Sequence, residues 1–181
     1  MTSVTPPSRF VGLHAHSHFS TSDGLGLPQE HIDFALENGM DALALTEHGN
    51  VNSYCHAHQH AKELKKQGRS FRFVPGVEAY YHPDLDEWAR PNAAAKEARD
   101  EARRQKQHVA KEEDDPGAVA ENEDESKDVS KWFDPVKRRH HLVLLPTSRR
   151  GLENIFTLVS RSYKEGFYRF PRIDRKMLKQ H

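Results

Sequence analysis

The chain has 181 residues, a length typical of one domain with a sizeable hydrophobic core. Its 27 basic side chains balance its 27 acidic ones, so the formal net charge of +0 excludes a global basic field for nonspecific DNA binding. The single cysteine, Cys55, excludes an internal disulfide, and no apolar run reaches the roughly 20 residues of a membrane helix. We therefore expect a cytoplasmic protein without membrane contact, with Cys55 as a half-buried thiol.

The first half of the chain predicts alternating strands and helices. Residues 10–13, Phe-Val-Gly-Leu, are typical of a short buried strand. Pro28 suits the first turn of an amphipathic helix, and Gly39 suits the C-terminal cap of that helix. Further elements follow in the order strand, helix, strand: residues 42–45, 51–67 and 71–77. This order predicts an α/β fold with parallel strands, in which chemistry gathers where strands end.

Between residues 82 and 139 this pattern breaks. Residues 93–110 are charged and alanine-rich, which favours a helix, whereas residues 111–127 are dominated by acids that repel one another. We therefore predict an insertion over residues 82–139 with a disordered acidic segment at about 111–127. An acidic contact arm for a basic partner is the alternative. The core resumes with a fourth strand over residues 141–145 and an amphipathic helix over residues 151–164.

Histidine, the commonest metal ligand, occurs 13 times in this neutral chain. His14 and His16 lie two residues apart after the first predicted strand, so both imidazoles face the same way and can bind one ion. Taken alone, they could equally be two solvent-facing histidines. Asp23 adds a carboxylate nearby, and His48 and Glu78 close the second and third predicted strands. Because the ends of neighbouring parallel strands meet, this coincidence predicts a metal site.

The predicted ligands also indicate which chemistry the site supports. Imidazoles and carboxylates without thiolates favour Zn, Mn or Fe over a structural zinc held by cysteines, and carboxylates can bridge neighbouring ions. More than one metal is therefore expected. Adjacent metals suit the hydrolysis of phosphate esters, because one activates a water while another neutralises the phosphoryl oxygens and the leaving alkoxide. Gly49 and Asn50 suit a tight turn beside such a site.

Several motifs resemble the polymerase and histidinol phosphatase (PHP) superfamily. They are residues 13–17, Leu-His-Ala-His-Ser, residues 45–50, Leu-Thr-Glu-His-Gly-Asn, and residues 76–78, Gly-Val-Glu. A narrower set resembles the PHP domain that opens bacterial DNA polymerase III alpha subunits: residues 43–50, 141–145, 158–168 and 171–174. The resemblance covers residues 10–81 and 140–181 and leaves the insertion unmatched.

The resemblance implies a distorted TIM-like (β/α) barrel that holds up to three divalent transition metals through nine ligands. It also implies exonuclease-like or phosphatase activity in members that keep all nine, with Asp23, His48 and Glu78 in the catalytic centre. Six ligand positions match in this chain: His14, His16, Asp23, His48, Glu78 and His141. The other three would lie after His181, so we expect the N-terminal part of a PHP domain, a barrel incomplete at its C-terminus, and weak or no activity in isolation.

Some assignments stay open at this point. His141 rests on the resemblance, because it stands at the start of its predicted strand whereas the other ligands follow theirs, and His140 is the substitute if the register slips by one. Glu47 stands where the family usually has Asp, which keeps a carboxylate but changes the geometry behind the ligands.

His18 faces the same way as His14 and His16, yet the family places no ligand there. Three more histidines alternate within the second predicted helix: His56, His58 and His60. Residues two apart on a helix point apart, so these three cannot bind one ion.

Three functions are compatible with these observations. The first is a metal-dependent phosphoesterase module of a replicative polymerase, with DNA and the rest of the alpha subunit as partners and proofreading-type 3′–5′ exonuclease chemistry in the complete domain. The second is a noncatalytic scaffold that stabilises the polymerase or docks a proofreading subunit, against which the six retained ligands argue. The third is an independent PHP-family phosphatase, against which residues 165–168 and 171–174 argue. Paired arginines at 138–139 and 149–150 could contact DNA phosphates or form a solvated basic surface.

Overall fold

The part of the chain that the structure describes is interrupted. The computed structural model describes residues 10–21, 23–89 and 139–181, together with Glu97, Glu101 and Arg104. Those three single residues are helical, and they lie in the alanine-rich stretch predicted as a helix. The acidic segment predicted at residues 111–127 lies outside the described residues, so its disorder stays a prediction.

The chain divides into two compact units. The first comprises Met1–Pro83 and Arg139–His181, and the second comprises Asp84–Arg138. In the second unit, residues 85–89 form a short helical segment. Asp84 precedes this segment, and its Oδ1 accepts hydrogen bonds from the backbone amides of Asp86 and Glu87, at 2.8 and 3.2 Å. An aspartate in this position satisfies amides that the first helical turn leaves without a partner.

The described residues of the first unit form four helices and five strands. The helices are α1 (Pro28–Glu37), α2 (Ser53–Lys66), α3 (Arg149–Glu165) and α4 (Arg175–Gln180). The strands are β1 (Ala42–His48), β2 (Arg72–Tyr81), β3 (His140–Leu144), β4 (Phe167–Tyr168) and β5 (Phe170–Ile173). None of the described helices is both long enough and apolar enough to cross a membrane.

The strands form one mixed sheet with β2 at its centre. β2 pairs in parallel with β1 and, at its end, with β5, whereas β3 and β2 are antiparallel. β4 continues the sheet through an antiparallel pairing with β5. Within the described ranges this sheet is open and partly antiparallel, whereas a TIM-like barrel needs parallel strands that close on themselves. The fold observed is therefore mixed α/β, and the closed barrel is not part of it.

Three strand predictions need correction. Residues 10–13 do not form a strand, since only Gly12 makes an isolated parallel bridge, to Leu43. β2 continues past the predicted end, so Glu78 lies inside it, because β3 and β5 pair with its last residues. β3 begins and ends one residue earlier than predicted, so His141 is the second residue of this strand. The predicted parallel pairing of the second and third strands, now β1 and β2, is confirmed.

The helices begin and end where their sequences favour it. Pro28 starts α1 as predicted, and Glu30 Oε2 accepts a hydrogen bond of 2.6 Å from the backbone amide of Leu27. Gly39, with a φ of +76°, follows the end of this helix. Apolar residues of α1, α2, β1 and the start of β2 share one buried cluster: Ile32, Ala35, Leu43, Leu45, Ala57, Leu64 and Phe71. Cys55, predicted to be half-buried, is instead exposed on α2, where the outer face of the helix leaves it in solvent.

Candidate metal centre

The segment that carries His14 and His16 runs alongside β1 without being a strand. Its backbone accepts two hydrogen bonds from β1: Ala44 N–H donates to Gly12 O at 2.8 Å, and Thr46 N–H donates to Ala15 O at 2.9 Å. This pairing fixes the direction of the segment. The two imidazoles therefore lie beside the end of β1, where His48 is the last residue.

All six side chains that the sequence analysis assigned as ligands come together. They form three overlapping groups, and within each group the candidate ligand atoms lie within 4.8 Å of one another. The groups are His14, His16 and Glu78; His16, Asp23 and His48; and His48, Glu78 and His141. Each of three residues belongs to two groups: His16, His48 and Glu78. Such sharing is the arrangement that neighbouring metal ions require.

Glu78 lies at the centre of the cluster. Its side chain is only 5% exposed, and its Oε2 lies 2.8 Å from His14 Nε2 and 2.9 Å from His16 Nε2. Its Oε1 lies 2.5 Å from His141 Nδ1, on the other side of the carboxylate. The two oxygens of Glu78 therefore face different histidines, which is the geometry of a carboxylate that can bridge two ions.

His48 lies between Asp23 and Glu78 in the cluster. Its Nε2 lies 2.7 Å from Asp23 Oδ2, and its Nδ1 lies 3.4 Å from Glu78 Oε2. The Nδ1 atom is buried and has no hydrogen-bond partner. A buried ring nitrogen without a partner, next to a carboxylate and other imidazoles, fits an atom that binds a cation.

Hydrogen bonding and burial set the charges of these groups. Burial raises the pKa of Glu78 and is the largest single effect, yet hydrogen bonds from His14 and His141 outweigh it and hold this pKa below its usual value. The hydrogen bond from His48 lowers the pKa of Asp23. Burial, followed by the charge of His48, lowers the pKa of His16. Two ionised carboxylates and a neutral His16 are the forms that bind a metal.

A buried hydrogen-bond network that the sequence did not predict lies behind the candidate ligands. Glu47 is fully buried and accepts hydrogen bonds from the Ser17 backbone amide, from Ser17 Oγ at 2.7 Å and from Ser20 Oγ at 2.5 Å. Ser20 Oγ also lies 2.9 Å from His16 Nδ1 and accepts a bond of 3.0 Å from the His48 backbone amide. The only signal in the sequence was a carboxylate beside His48 and the serines at positions 17 and 20, which lie between His16 and Asp23.

Two glycines allow the loops of the site to pass close to other atoms. A Cβ on Gly24 would lie 1.9 Å from the carbonyl oxygen of Ser17, so only glycine fits the turn that follows Asp23. Gly49 has a φ of +62°, and a Cβ there would lie 2.8 Å from Pro171 Cγ. The prediction of a tight turn at Gly49 beside the site is confirmed.

Aromatic rings form one wall of the cluster. The ring of Tyr80, two residues after Glu78 on β2, stacks with His48 at 5.9 Å and meets His141 edge-on at 5.2 Å. The guanidinium of Arg139 lies 3.9 Å from the centre of the Phe170 ring and 5.3 Å from that of Tyr80. These contacts restrict the rotation of His48 and His141, so the imidazoles are held in place from outside the ligand groups.

The other basic residues singled out in the sequence lie elsewhere. Among the described residues, the ligand groups do not include His18, whose Nδ1 lies 3.1 Å from Gly26 O, nor any of the three histidines on α2. His60, one of those three, pairs with Asp33 at 2.8 Å. Arg149 and Arg150 are exposed, within 4.0 Å of Glu153. Arg138 lies outside the described residues.

A family model and several known proteins are similar to this chain. The model of the PHP domain matches residues 12–181. DNA polymerase III subunit alpha of Borreliella burgdorferi is 32% identical over 174 residues, which is 96% of this chain and 11% of that protein. The corresponding subunit of Helicobacter pylori is 29% identical over 172 residues, 95% of this chain and 10% of that protein.

A third relative extends the match to almost the whole chain. DNA polymerase III subunit alpha of Deinococcus radiodurans is 28% identical over 183 aligned residues, which covers 99% of this chain and 10% of that protein. The chain thus spans about one tenth of the length of the curated relatives it matches. It also has clusters of histidine and carboxylate side chains that could hold a metal. The chain therefore belongs to the PHP domain family.

Proposed function

We propose that the six clustered side chains bind divalent metal ions and form the core of a phosphoesterase site. The ligands are His14, His16, Asp23, His48, Glu78 and His141. The observation that supports this most directly is the sharing of His16, His48 and Glu78 between ligand groups. Neighbouring metal ions that are bridged by common ligands require side chains that belong to two groups. A cluster held only by hydrogen bonds does not require them.

The donor set indicates the class of metal. Four imidazoles and two carboxylates, with no thiolate among them, suit Zn, Mn or Fe. Such ions would supply an activated water and would neutralise the charge of a phosphoryl group.

Exposure within the cluster indicates where a substrate would enter. The side chains of His14, Asp23 and His141 are 48%, 56% and 43% exposed, whereas that of Glu78 is 5% exposed. The buried carboxylate anchors the cluster from below, and the three exposed ligands open to solvent. A phosphate ester would therefore approach over Asp23, which, with His48 and Glu78, we assign to the catalytic centre.

We further propose that the chain acts in DNA replication, as part of a polymerase alpha subunit in the cytoplasm. The relatives, all named as DNA polymerase III subunit alpha, support this context. DNA and the rest of such a subunit would be the partners, and a proofreading subunit is a further one. The site would then perform exonuclease-type hydrolysis at a DNA 3′ end, within a PHP domain that completes a distorted TIM-like barrel.

The activity is tested in a polymerase alpha subunit that contains this chain. We expect manganese- or zinc-dependent release of nucleotides from a DNA 3′ end, and we expect Asp23→Asn to suppress the release. His58→Ala is the matched control, since His58 is exposed on α2 and its ring stacks on Tyr54 away from the ligand groups. Equal rates in wild type and Asp23→Asn would exclude this site as the source of hydrolysis.

A further inference from the structure

The buried network behind the ligands has a defined direction of hydrogen bonding. Ser20 Oγ carries one hydrogen and two lone pairs. Glu47 is fully buried, and as a carboxylate it can only accept, so the Ser20 hydroxyl donates to Glu47 Oε2 at 2.5 Å. The backbone amide of His48 donates to Ser20 Oγ at 3.0 Å and occupies one lone pair. One lone pair of Ser20 is then left for His16.

This count decides which nitrogen of His16 carries a hydrogen. His16 Nδ1 lies 2.9 Å from Ser20 Oγ, which has no second hydrogen to donate. The Nδ1 atom must therefore be the donor. In a neutral imidazole the other nitrogen, Nε2, then has a free lone pair. That nitrogen lies 2.9 Å from Glu78 Oε2 and 3.0 Å from His14 Nε2, inside the ligand cluster.

We propose that Glu47, acting through Ser20, is a positioning residue that fixes His16 as the Nδ1–H tautomer and directs the His16 Nε2 lone pair into the metal cluster. The positioning of a metal ligand rests on the proposed function, whereas the hydrogen-bond network itself does not. A histidine ligand commonly donates its second N–H to a carboxylate or carbonyl, which sets the ring orientation and raises the basicity of the ligating nitrogen. Here a serine stands between the histidine and the carboxylate.

The alternative direction is disfavoured by burial. If Ser20 donated to His16 instead, Glu47 would lose one of its charge-assisted bonds in a site without solvent, which is a costly loss. Glu78, by contrast, keeps His14 and His141 as neighbours at 2.8 and 2.5 Å whichever tautomer His16 adopts. The hydroxyl hydrogen is therefore held on the side of the fully buried carboxylate.

The test is the tautomer of His16 in the metal-free protein. In the chain labelled with ¹⁵N-histidine at pH 8, two-bond ¹H–¹⁵N correlation spectra distinguish a protonated from an unprotonated ring nitrogen, and His16→Gln identifies the His16 signals. We expect a protonated Nδ1 and an unprotonated Nε2. A wild-type spectrum with the hydrogen on Nε2 would overturn the proposal without the need for any Glu47 variant.

Glu47→Gln should reverse the network. The amide oxygen can keep the bonds from Ser17, while the amide NH₂ donates to Ser20, whose hydroxyl then turns to His16 Nδ1. We expect His16 to change to the Nε2–H tautomer, whereas Glu47→Asp, which keeps the carboxylate, should retain Nδ1–H. Glu153→Gln on the exposed face of α3 is the matched control and should change nothing. An unchanged tautomer in folded Glu47→Gln would contradict the proposal.

A competition titration with zinc measures the consequence for the cluster. Loss of a residue that orients a metal ligand typically weakens binding by about 10- to 100-fold, and we expect this range for Glu47→Gln. Equal zinc affinity in Glu47→Gln and wild type would overturn the positioning role. Failure of the wild type itself to bind zinc, with His16 still found as Nδ1–H, would instead contradict the proposed function and leave the hydrogen-bond network established.

Discussion

His141 Nδ1 lies 2.5 Å from Glu78 Oε1, and the two residues occupy different strands that run in opposite directions. In this antiparallel pairing Tyr80 lies opposite His141 and Val143 lies opposite Glu78. His141 is thus the diagonal neighbour of Glu78 on the same face of the sheet. The start of β3 lies beside the end of β2, which explains how a histidine near the beginning of its strand meets side chains near the ends of β1 and β2.

The same register separates His141 from His140. His140 lies opposite Tyr81, so its side chain belongs to the other face of the sheet. We predict that His141→Ala weakens zinc binding by at least about tenfold, since a ligand should matter no less than the residues that orient ligands. His140→Ala, the matched control one residue away, should leave the affinity unchanged. A competition titration measures the zinc affinity of both variants. A larger loss of affinity in His140→Ala than in His141→Ala would show that the ligand is His140.

A second prediction concerns Gly49. A methyl group there would lie 2.8 Å from Pro171 Cγ and 3.3 Å from Tyr80 Cε2, in a backbone conformation that disfavours side chains. Strain from the left-handed φ and overpacking together predict a loss of about 2–5 kcal/mol in the free energy of unfolding for Gly49→Ala. Urea denaturation measures this loss.

Gly68 provides the control for that substitution. Its φ is +77°, yet nothing lies within 4 Å of the position of a Cβ. Gly68→Ala should therefore cost only the backbone term, about 1–2 kcal/mol. Equal losses in the two variants would show that contact with Pro171 and Tyr80 contributes nothing.

The sequence predicted which side chains come together better than it predicted the strands that carry them. Periodicity and caps located α1, because Pro28 and Gly39 act locally. Residues 10–13 do not form the predicted strand, yet His14 and His16 still reach the site, because two backbone hydrogen bonds from β1 suffice to place them. Local pattern could not show that β3 is antiparallel, since strand direction depends on contacts between residues far apart in sequence.

The hydrogen-bond network around Glu47 could not be predicted from the sequence for a similar reason. Nothing local marks Ser17 or Ser20, because Glu47 lies 30 residues after Ser17 and 27 residues after Ser20. Only the fold brings the two serines within 3.5 Å of Glu47. The pairing of β4 and β5 was also missed, because strands of two and four residues are too short to show a period.

A third prediction tests the acidic segment. Deletion of residues 111–127, which lie outside the described ranges, should leave the thermal midpoint almost unchanged, because this composition offers little apolar area to bury. Differential scanning calorimetry of the deleted and full chains makes the comparison. A fall of many degrees would show that the segment packs against the rest of the protein.

Metal content tests the central claim most directly. The wild-type chain, His14→Ala, Asp23→Asn and His58→Ala are each loaded with zinc or manganese, dialysed together and analysed by inductively coupled plasma mass spectrometry. We predict bound metal in the wild type and in His58→Ala, and clearly less in His14→Ala and Asp23→Asn, because each of these two removes one member of a ligand group. The same metal content in all four proteins, or none in any of them, would contradict the assignment of this cluster as a metal centre.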